Sequence, residues 1–169
     1  VYGVSFRYLA GGISADASGN RQFTSASIYK LYVADVVYNK VQNGELTLDT
    51  ATSTGASVAS CIDAMIVRSD NNCAIALGSM IGWNANVGFL RSQGFGSTNL
   101  ISGGFLTTAS DTADLLVKLQ NGTLVPTSSA SSLISMMGRQ IYRAGIPAGS
   151  AGSVANKVGF LGGLNHDAA

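Results

Sequence analysis

The sequence predicts an α+β domain on three observations: strand-like alternation at both ends, six stretches of helical periodicity between them, and no composition break dividing the 169 residues into two units. At the N-terminus Val4, Phe6 and Tyr8 alternate within Val1 to Leu9, Gly11-Gly12 and Ser18-Gly19-Asn20 supply turns, and Arg21 to Phe23 follows. An antiparallel hairpin is therefore expected to lead into the first helix. From Ile28 the apolar positions Ile28, Leu31, Val33, Val36, Val37 and Val41 recur near helical spacing, and Gly44 gives a left-handed stop. After a short connection at Glu45 to Asp49, helices are expected over Ser57 to Val67, Cys73 to Ile81 and Ala85 to Gln93, the last two ending near Gly82 and Gly94. Phe95 to Leu106 is Gly-rich and loop-like. Thr108 with Asp111 makes a capping-box-like start to a helix that stops at Asn121-Gly122, and Ser131 to Tyr142 forms another, ended by Gly145 and Pro147. Ser153 to Leu161, the Gly162-Gly163 turn and Leu164 to Ala169 read as a strand, a turn and the opening of a second strand. The terminal strands are expected to share one antiparallel sheet packed by helices, with a helical lobe beside it, all in a single domain over residues 1–169.

Composition narrows the function classes. Charged residues are 11% of the chain and the net charge is +1, which gives no electrostatic case for nucleic acid or an anionic membrane. A small-molecule or peptide partner is expected instead. A hydrophobic content of 46% excludes disorder, and no apolar run approaches the roughly 18 residues that would span a bilayer. Val1 opens directly on strand alternation, as a mature or trimmed protein would. Cys61 and Cys73, twelve positions apart, could form a disulfide between successive helices or remain two buried thiols. Together with the distant His166 they form no ligand set, so neither a metal nor a cofactor is expected.

The chemistry-bearing stretch is Thr24-Ser25-Ala26-Ser27-Ile28-Tyr29-Lys30-Leu31. Residues three apart share a helix face, so the Lys30 amine can reach the Ser27 hydroxyl and take its proton. With 21 Ser and four Lys, chance places Ser three before Lys about 0.5 times, and the motif needs company. Two further motifs follow in order. Ser69-Asp70-Asn71 sits at a helix break, where a hydroxyl and an amide can project into a cleft and Asp70 can satisfy local backbone donors. Lys157-Val158-Gly159 lies in a strand of small and apolar residues, with a glycine that lets a substrate backbone approach closely.

In this order the three motifs resemble the set of class A β-lactamases and penicillin-binding proteins. Asn43-Gly44-Glu45-Leu46-Thr47-Leu48-Asp49, the run from Cys61 to Cys73, Arg143 to Gly149, Ala155 to Gly159 and His166-Asp167-Ala168-Ala169 extend the resemblance over nearly the whole chain, toward Gram-positive members. The resemblance implies a β-lactamase/transpeptidase-like fold and a secreted serine hydrolase with a Cys61–Cys73 disulfide. It also implies roles: Ser27 as nucleophile, Lys30 as its base, Ser69 as proton relay, Asn71 holding Lys30 or the substrate amide, and Lys157 facing a substrate carboxylate. Val158 and Gly159 would line the substrate, and the N–H groups of Ser27 and Phe160 would form the oxyanion hole. His166 is expected to be structural.

Departures from the family set further expectations. The one Glu, Glu45, lies in the wrong segment to activate a deacylating water, and Gly94 to Leu106 has no acidic residue, so slow deacylation is expected rather than a fast β-lactamase. A true β-lactamase using another base ranks below that reading. Val158 replaces the usual Thr or Ser, removing a hydroxyl from the substrate-carboxylate site. Relatives continue past the His166-Asp167 segment with further strands and a closing helix, so the sheet is expected to be incomplete in this chain, with self-association or a complementing segment at its C-terminal strand edge. The rival class is a catalytically idle domain serving as a binding or assembly module.

Overall fold

The computed structural model describes residues 1–101 and 104–169. The fold is organised around α1 (Tyr29–Gln42), in which every residue from Lys30 to Tyr38 is buried. A helix buried all round is the centre of a core, not its lid. Around it stand α2 (Val58–Val67), α3 (Asn71–Ile81), the short α4 (Val87–Ser92), α5 (Ala109–Gln120) and α6 (Thr127–Gly138). Leu31, Val33, Ile62, Met65, Ile66, Leu77, Leu90, Phe95, Leu115 and Leu133 are fully enclosed and belong to one continuous apolar cluster.

The helix boundaries have local causes. The Ser57 side chain accepts from Ser60 N to start α2, Asp70 accepts from Cys73 N to start α3, and Thr108 accepts from Asp111 N to start α5. The reciprocal half of the box at α5 is absent, because the Asp111 carboxylate turns to Ser97 N at 3.0 Å and Thr98 Oγ1 at 2.8 Å and pins the loop before it. The loop expected over Phe95 to Leu106 includes Ser102 and Gly103, which lie outside the described residues.

The α+β class stands, with small antiparallel ladders. β1 (Val4–Tyr8) pairs β2 (Ile13–Ala17), β3 (Phe23–Thr24) pairs β4 (Leu106–Thr107), and β5 (Lys157–Leu161) pairs β6 (Leu164–Ala168). The expected joining of the terminal strands does not occur among the described residues: these are three separate two-stranded ladders. A cavity of about 790 Å³ lies between β1, α5, α6 and β6. It contains none of the three motifs' lysines or serines, so the chemistry lies elsewhere. Two boundaries also shift. β5 begins at Lys157 instead of Ser153, and the residue before it, Asn156, donates its N–H to Met137 O outside the ladder. α6 runs from Thr127 to Gly138 instead of Ser131 to Tyr142, since Gln140 leaves the helix to donate from Nε2 to Ile66 O at 2.7 Å.

Cys61 and Cys73 form a disulfide, with Cα atoms 4.8 Å apart, clipping α2 to α3 across the turn that carries Ser69. Closing so short a loop restricts the unfolded chain by about 3 kcal/mol. Reduction, or the Cys61→Ala/Cys73→Ala pair, is accordingly expected to lower the melting temperature by about 10 °C in a calorimetric scan.

Candidate active site

Three elements converge on one hydroxyl. The Lys30 ammonium, in the first turn of α1, donates to Ser69 Oγ at 3.1 Å, to Ser69 O at 2.5 Å and to Asn71 Oδ1 at 2.7 Å. Lys157, at the start of β5, donates to the same Ser69 Oγ at 2.9 Å and to Val158 O at 2.8 Å. Both lysines are 0% exposed. Burial brings Lys30 down to about 8, with Asp70 pulling the other way. Lys157 falls to about 7, first by burial and then by the Lys30 charge, against the opposing pull of Asp167. Two ammonium groups sharing an acceptor in a dry site repel, so the Lys30 charge weakens the hold of Lys157 on its proton.

Ser27 sits just before α1 in the short helical turn Ala26–Ile28 and is partly exposed. Among the described residues its hydroxyl has no hydrogen-bond partner, while the Lys30 bonds go to Ser69 and Asn71. Ser27 N belongs to a first turn, where N–H groups lack a preceding helical acceptor. Backbone strain brackets the site: Ala26 has φ +43° and Ser69 φ +57°, conformations that cost non-glycine residues about 1–3 kcal/mol each and persist where the surroundings enforce them.

The β5–β6 hairpin explains the second N–H. Gly162 (φ +49°) and Gly163 (φ +87°) both need the left-handed region, as a two-residue hairpin turn of matching twist requires. That turn makes Leu161↔Leu164 a hydrogen-bonded pair, and Gly159↔His166 and Lys157↔Ala168 follow by alternation. The N–H groups of Val158 and Phe160 therefore point away from β6, toward the edge that packs on the Ser27 turn. Lys157 Nζ occupies the carbonyl of Val158 on this same edge. The glycine of the third motif accepts close approach, though the approaching backbone is the protein's own: a Cβ at Gly159 would lie 3.0 Å from Ser25 O and 3.1 Å from Ser27 N. Val158 is 2% exposed, and Phe160 is 53% exposed and edge-on to Tyr142 at 5.9 Å.

An aromatic cluster packs on the core beside Lys30: Phe105 lies between Tyr29 at 4.5 Å and Trp83 at 4.9 Å, and the Tyr29 ring is 5.8 Å from Lys30 Nζ. The motifs did not announce this cluster, nor the network behind Lys157. There the fully buried Asn156 donates from Nδ2 to Asp167 Oδ1 at 2.8 Å and accepts from Arg143 Nη1 at 2.9 Å. His166 Nε2 lies 2.9 Å from Thr24 O and ties β6 to the strand before Ser27, a structural contact. Among the described residues no group of three or more His, Cys, Asp or Glu could hold a metal ion, and no single helix is long and apolar enough to cross a membrane.

A comparison with curated proteins returns no match. Solved structures do match. A PBP-A variant, described as an acyl-enzyme complex with penicillin G, superposes with a TM-score of 0.89 at 23% identity, covering 98% of this chain and 73% of its own. A β-lactamase from Sphaerobacter thermophilus DSM 20745 gives 0.84 at 21% identity, covering 98% and 74%. At those identities the likeness establishes the fold. An ancestral class A β-lactamase gives 0.86 at 26% identity, covering 98% and 77%. The family model described as "Beta-lactamase enzyme family" matches residues 1–169, so the chain belongs to the β-lactamase enzyme family.

Proposed function

We propose that the chain is a serine acyl-transferring hydrolase that opens peptide-like amides, β-lactams or cell-wall peptides, through an acyl-Ser27 intermediate that deacylates slowly. The observation that carries this reading is the convergence of two buried lysines on Ser69 Oγ, one of them three residues after Ser27 at the start of α1. Lys30 in its neutral form takes the Ser27 proton as Oγ attacks the carbonyl carbon. The oxyanion forms between the N–H groups of Ser27 and Phe160, donors of a type worth about 3 kcal/mol each. When the C–N bond breaks, the nitrogen takes the Ser69 hydroxyl proton, and the lysine that holds the shared proton replaces it. Lys157, when charged, faces the substrate carboxylate in place of the hydroxyl that Val158 lacks.

Slow deacylation rests on the carboxylate inventory. The one Glu, Glu45, pairs with Lys40 at 2.6 Å near the far end of α1, and its lowered pKa reflects that hydrogen bond, not catalysis. The Cys61–Cys73 disulfide supports an oxidising, extracytoplasmic site of action.

Intact-mass spectrometry after mixing with penicillin G tests the reading. A persistent adduct of one penicillin mass is expected, absent in Ser27→Ala. Fast penicillin loss with no accumulating adduct would instead establish an efficient β-lactamase, and neither adduct nor loss in the folded protein would establish an idle domain.

A further inference from the structure

The two faces of β5 differ in what they leave open. Alternation puts Lys157, Gly159 and Leu161 on one face and Val158 and Phe160 on the other, with the Phe160 N–H on the edge between them. The first face is closed by the protein's own backbone, since a Cβ at Gly159 would lie 3.0 Å from Ser25 O and 3.1 Å from Ser27 N. A carbonyl oxygen held on the Phe160 N–H therefore has its free space on the side of the Phe160 ring, within a single side chain's reach of it.

That side is apolar and built. Phe160 is 53% exposed and meets Tyr142, 43% exposed, at 5.9 Å with the ring planes 83° apart, while Ile141, next to Tyr142, is 56% exposed. Exposed apolar residues scattered singly are ordinary, but adjoining ones beside a reactive centre mark a binding surface. The segment that carries Ile141 and Tyr142 is fixed from two sides. Ile141 N donates to Val67 O at 3.2 Å and Gln140 Nε2 to Ile66 O at 2.7 Å, which docks residues 140–142 on the end of α2 that leads into Ser69. Asn156 Nδ2 donates to Tyr142 O at 3.3 Å from the β5 side. Tyr142 thus bridges from the Ser69 end of α2 to the Phe160 ring. In the proposed function Ser69 gives its proton to the leaving nitrogen, so this surface flanks the leaving half of a substrate and not the acyl half. The segment turns its cation away from that half, because Arg143 Nη1 is committed to Asn156 Oδ1 at 2.9 Å.

We infer that Phe160 and Tyr142, with Ile141 beside them, are specificity-determining residues that take an aromatic or large aliphatic side chain on the leaving half of the substrate. The inference rests on the proposed function and names the substrate class for that site: acyl donors whose leaving group bears an apolar side chain acylate Ser27 faster than donors whose leaving group bears none.

Two thioesters with the same benzoylglycyl acyl group and different leaving thiol acids, mercaptoacetate or 2-mercapto-3-phenylpropanoate, test this on the full chain. In each, the Ser27 Oγ–C bond forms, the C–S bond breaks and the thiol leaves with the hydroxyl proton; released thiol and acyl-protein mass are followed together, corrected for hydrolysis in buffer. Wild type is expected to react about 20-fold faster with the phenyl-bearing ester, as the covering of one ring implies, and the ratio is expected to fall to about threefold in Tyr142→Ala and in Phe160→Ala. A ratio taken within each protein cancels any change in the oxyanion hole, which both esters use. Phe160→Leu, which keeps an apolar side chain, is expected to retain most of the preference. If Phe160→Ala does not fold, Tyr142→Ala decides alone. A wild-type ratio near one, or a ratio that Tyr142→Ala leaves unchanged, overturns the inference, while the acyl-protein itself upholds the functional reading. If neither thioester acylates the chain, the amides benzoylglycyl-phenylalanine and benzoylglycyl-glycine are titrated into it by NMR. Tighter binding of the phenyl amide that is lost in Tyr142→Ala upholds the surface and sinks the functional reading alone; equal binding, or none, overturns the inference as well.

Discussion

Lys30→Met is expected to slow acylation of Ser27 by penicillin G about 1,000-fold, within the range by which a positioned base accelerates proton transfer. Methionine keeps the length and apolar stem of the side chain, so α1 retains its packing. What is lost is the one amine in the first turn of α1, three residues from the nucleophile, together with its donors to Ser69 and Asn71. Stopped-flow or quenched mass measurements of the acylation rate, with circular dichroism to establish the fold, decide the matter. A decrease of less than about threefold would move the base to another group and would fit Ser69, primed by Lys157, taking the proton directly. The pH dependence should change with it. The acid limb of the wild-type profile, set by the lysine pair with values near 7 and 8, should vanish in Lys30→Met.

The second large effect concerns stability. Asp35, in the middle of α1, is 0% exposed; its Oδ1 accepts from Asn39 Nδ2 at 2.8 Å, while Oδ2 is buried without a hydrogen-bond partner. Burial raises its pKa from the ordinary 3.8 to about 8, against the weaker opposing effects of the Asn39 hydrogen bond and the Lys118 charge. A carboxyl whose folded pKa lies above its unfolded value gives its full stabilising contribution below the unfolded pKa and loses it as pH rises through the folded one. The window therefore runs from about pH 4 to about pH 8, with about 1.4 kcal/mol lost per pH unit and about 4 kcal/mol gone by pH 7. Asp35→Asn, which keeps the shape and cannot ionise, is expected to be the more stable protein at pH 8 by several kcal/mol and to match wild type near pH 4. Urea unfolding at the two pH values measures this. A difference between the two proteins that is the same at both values would show that Asp35 does not titrate in the window.

The contrast between these two residues explains what was legible in the sequence. Ser27, Lys30, Ser69, Asn71 and Lys157 could be picked out because each belongs to a motif of three or four residues, where spacing alone fixes the neighbours; the structure hydrogen-bonds Lys30 to Ser69 and Asn71, and Lys157 to Ser69. Helix existence followed from periodicity, and the stops at Gly44, Gly82 and Gly122 do carry positive φ. Asp35 was invisible, because one polar residue in a helical pattern reads as a solvated face until the helix is found enclosed on all sides. The pairing of Asp167 with Asn156 is not legible in the sequence, since it depends on the β5–β6 register and on the 145–146 backbone folding over it, information that local spacing does not hold. At Gly159 the expected close approach finds a neighbour that local spacing does not name, the Ser25–Ser27 backbone, because which protein segment packs there is a tertiary fact. The start of β5 depends on a similar tertiary fact, the hydrogen bond from Asn156 N to Met137 O that lies outside the ladder.

The clip between α2 and α3 also bears on time. With Cys61 and Cys73 joined, the Arg68–Asn71 turn is closed at both ends by buried helices, and Ser69 in its left-handed conformation has no route to relax that does not pull on the core. Local breathing, the low-cost excursion by which most surface turns exchange their amide protons, is denied to this one. The backbone that carries the hydroxyl between the two lysines is thus expected to open only together with the α2–α3 core, so that its amide exchange approaches the limit set by global unfolding.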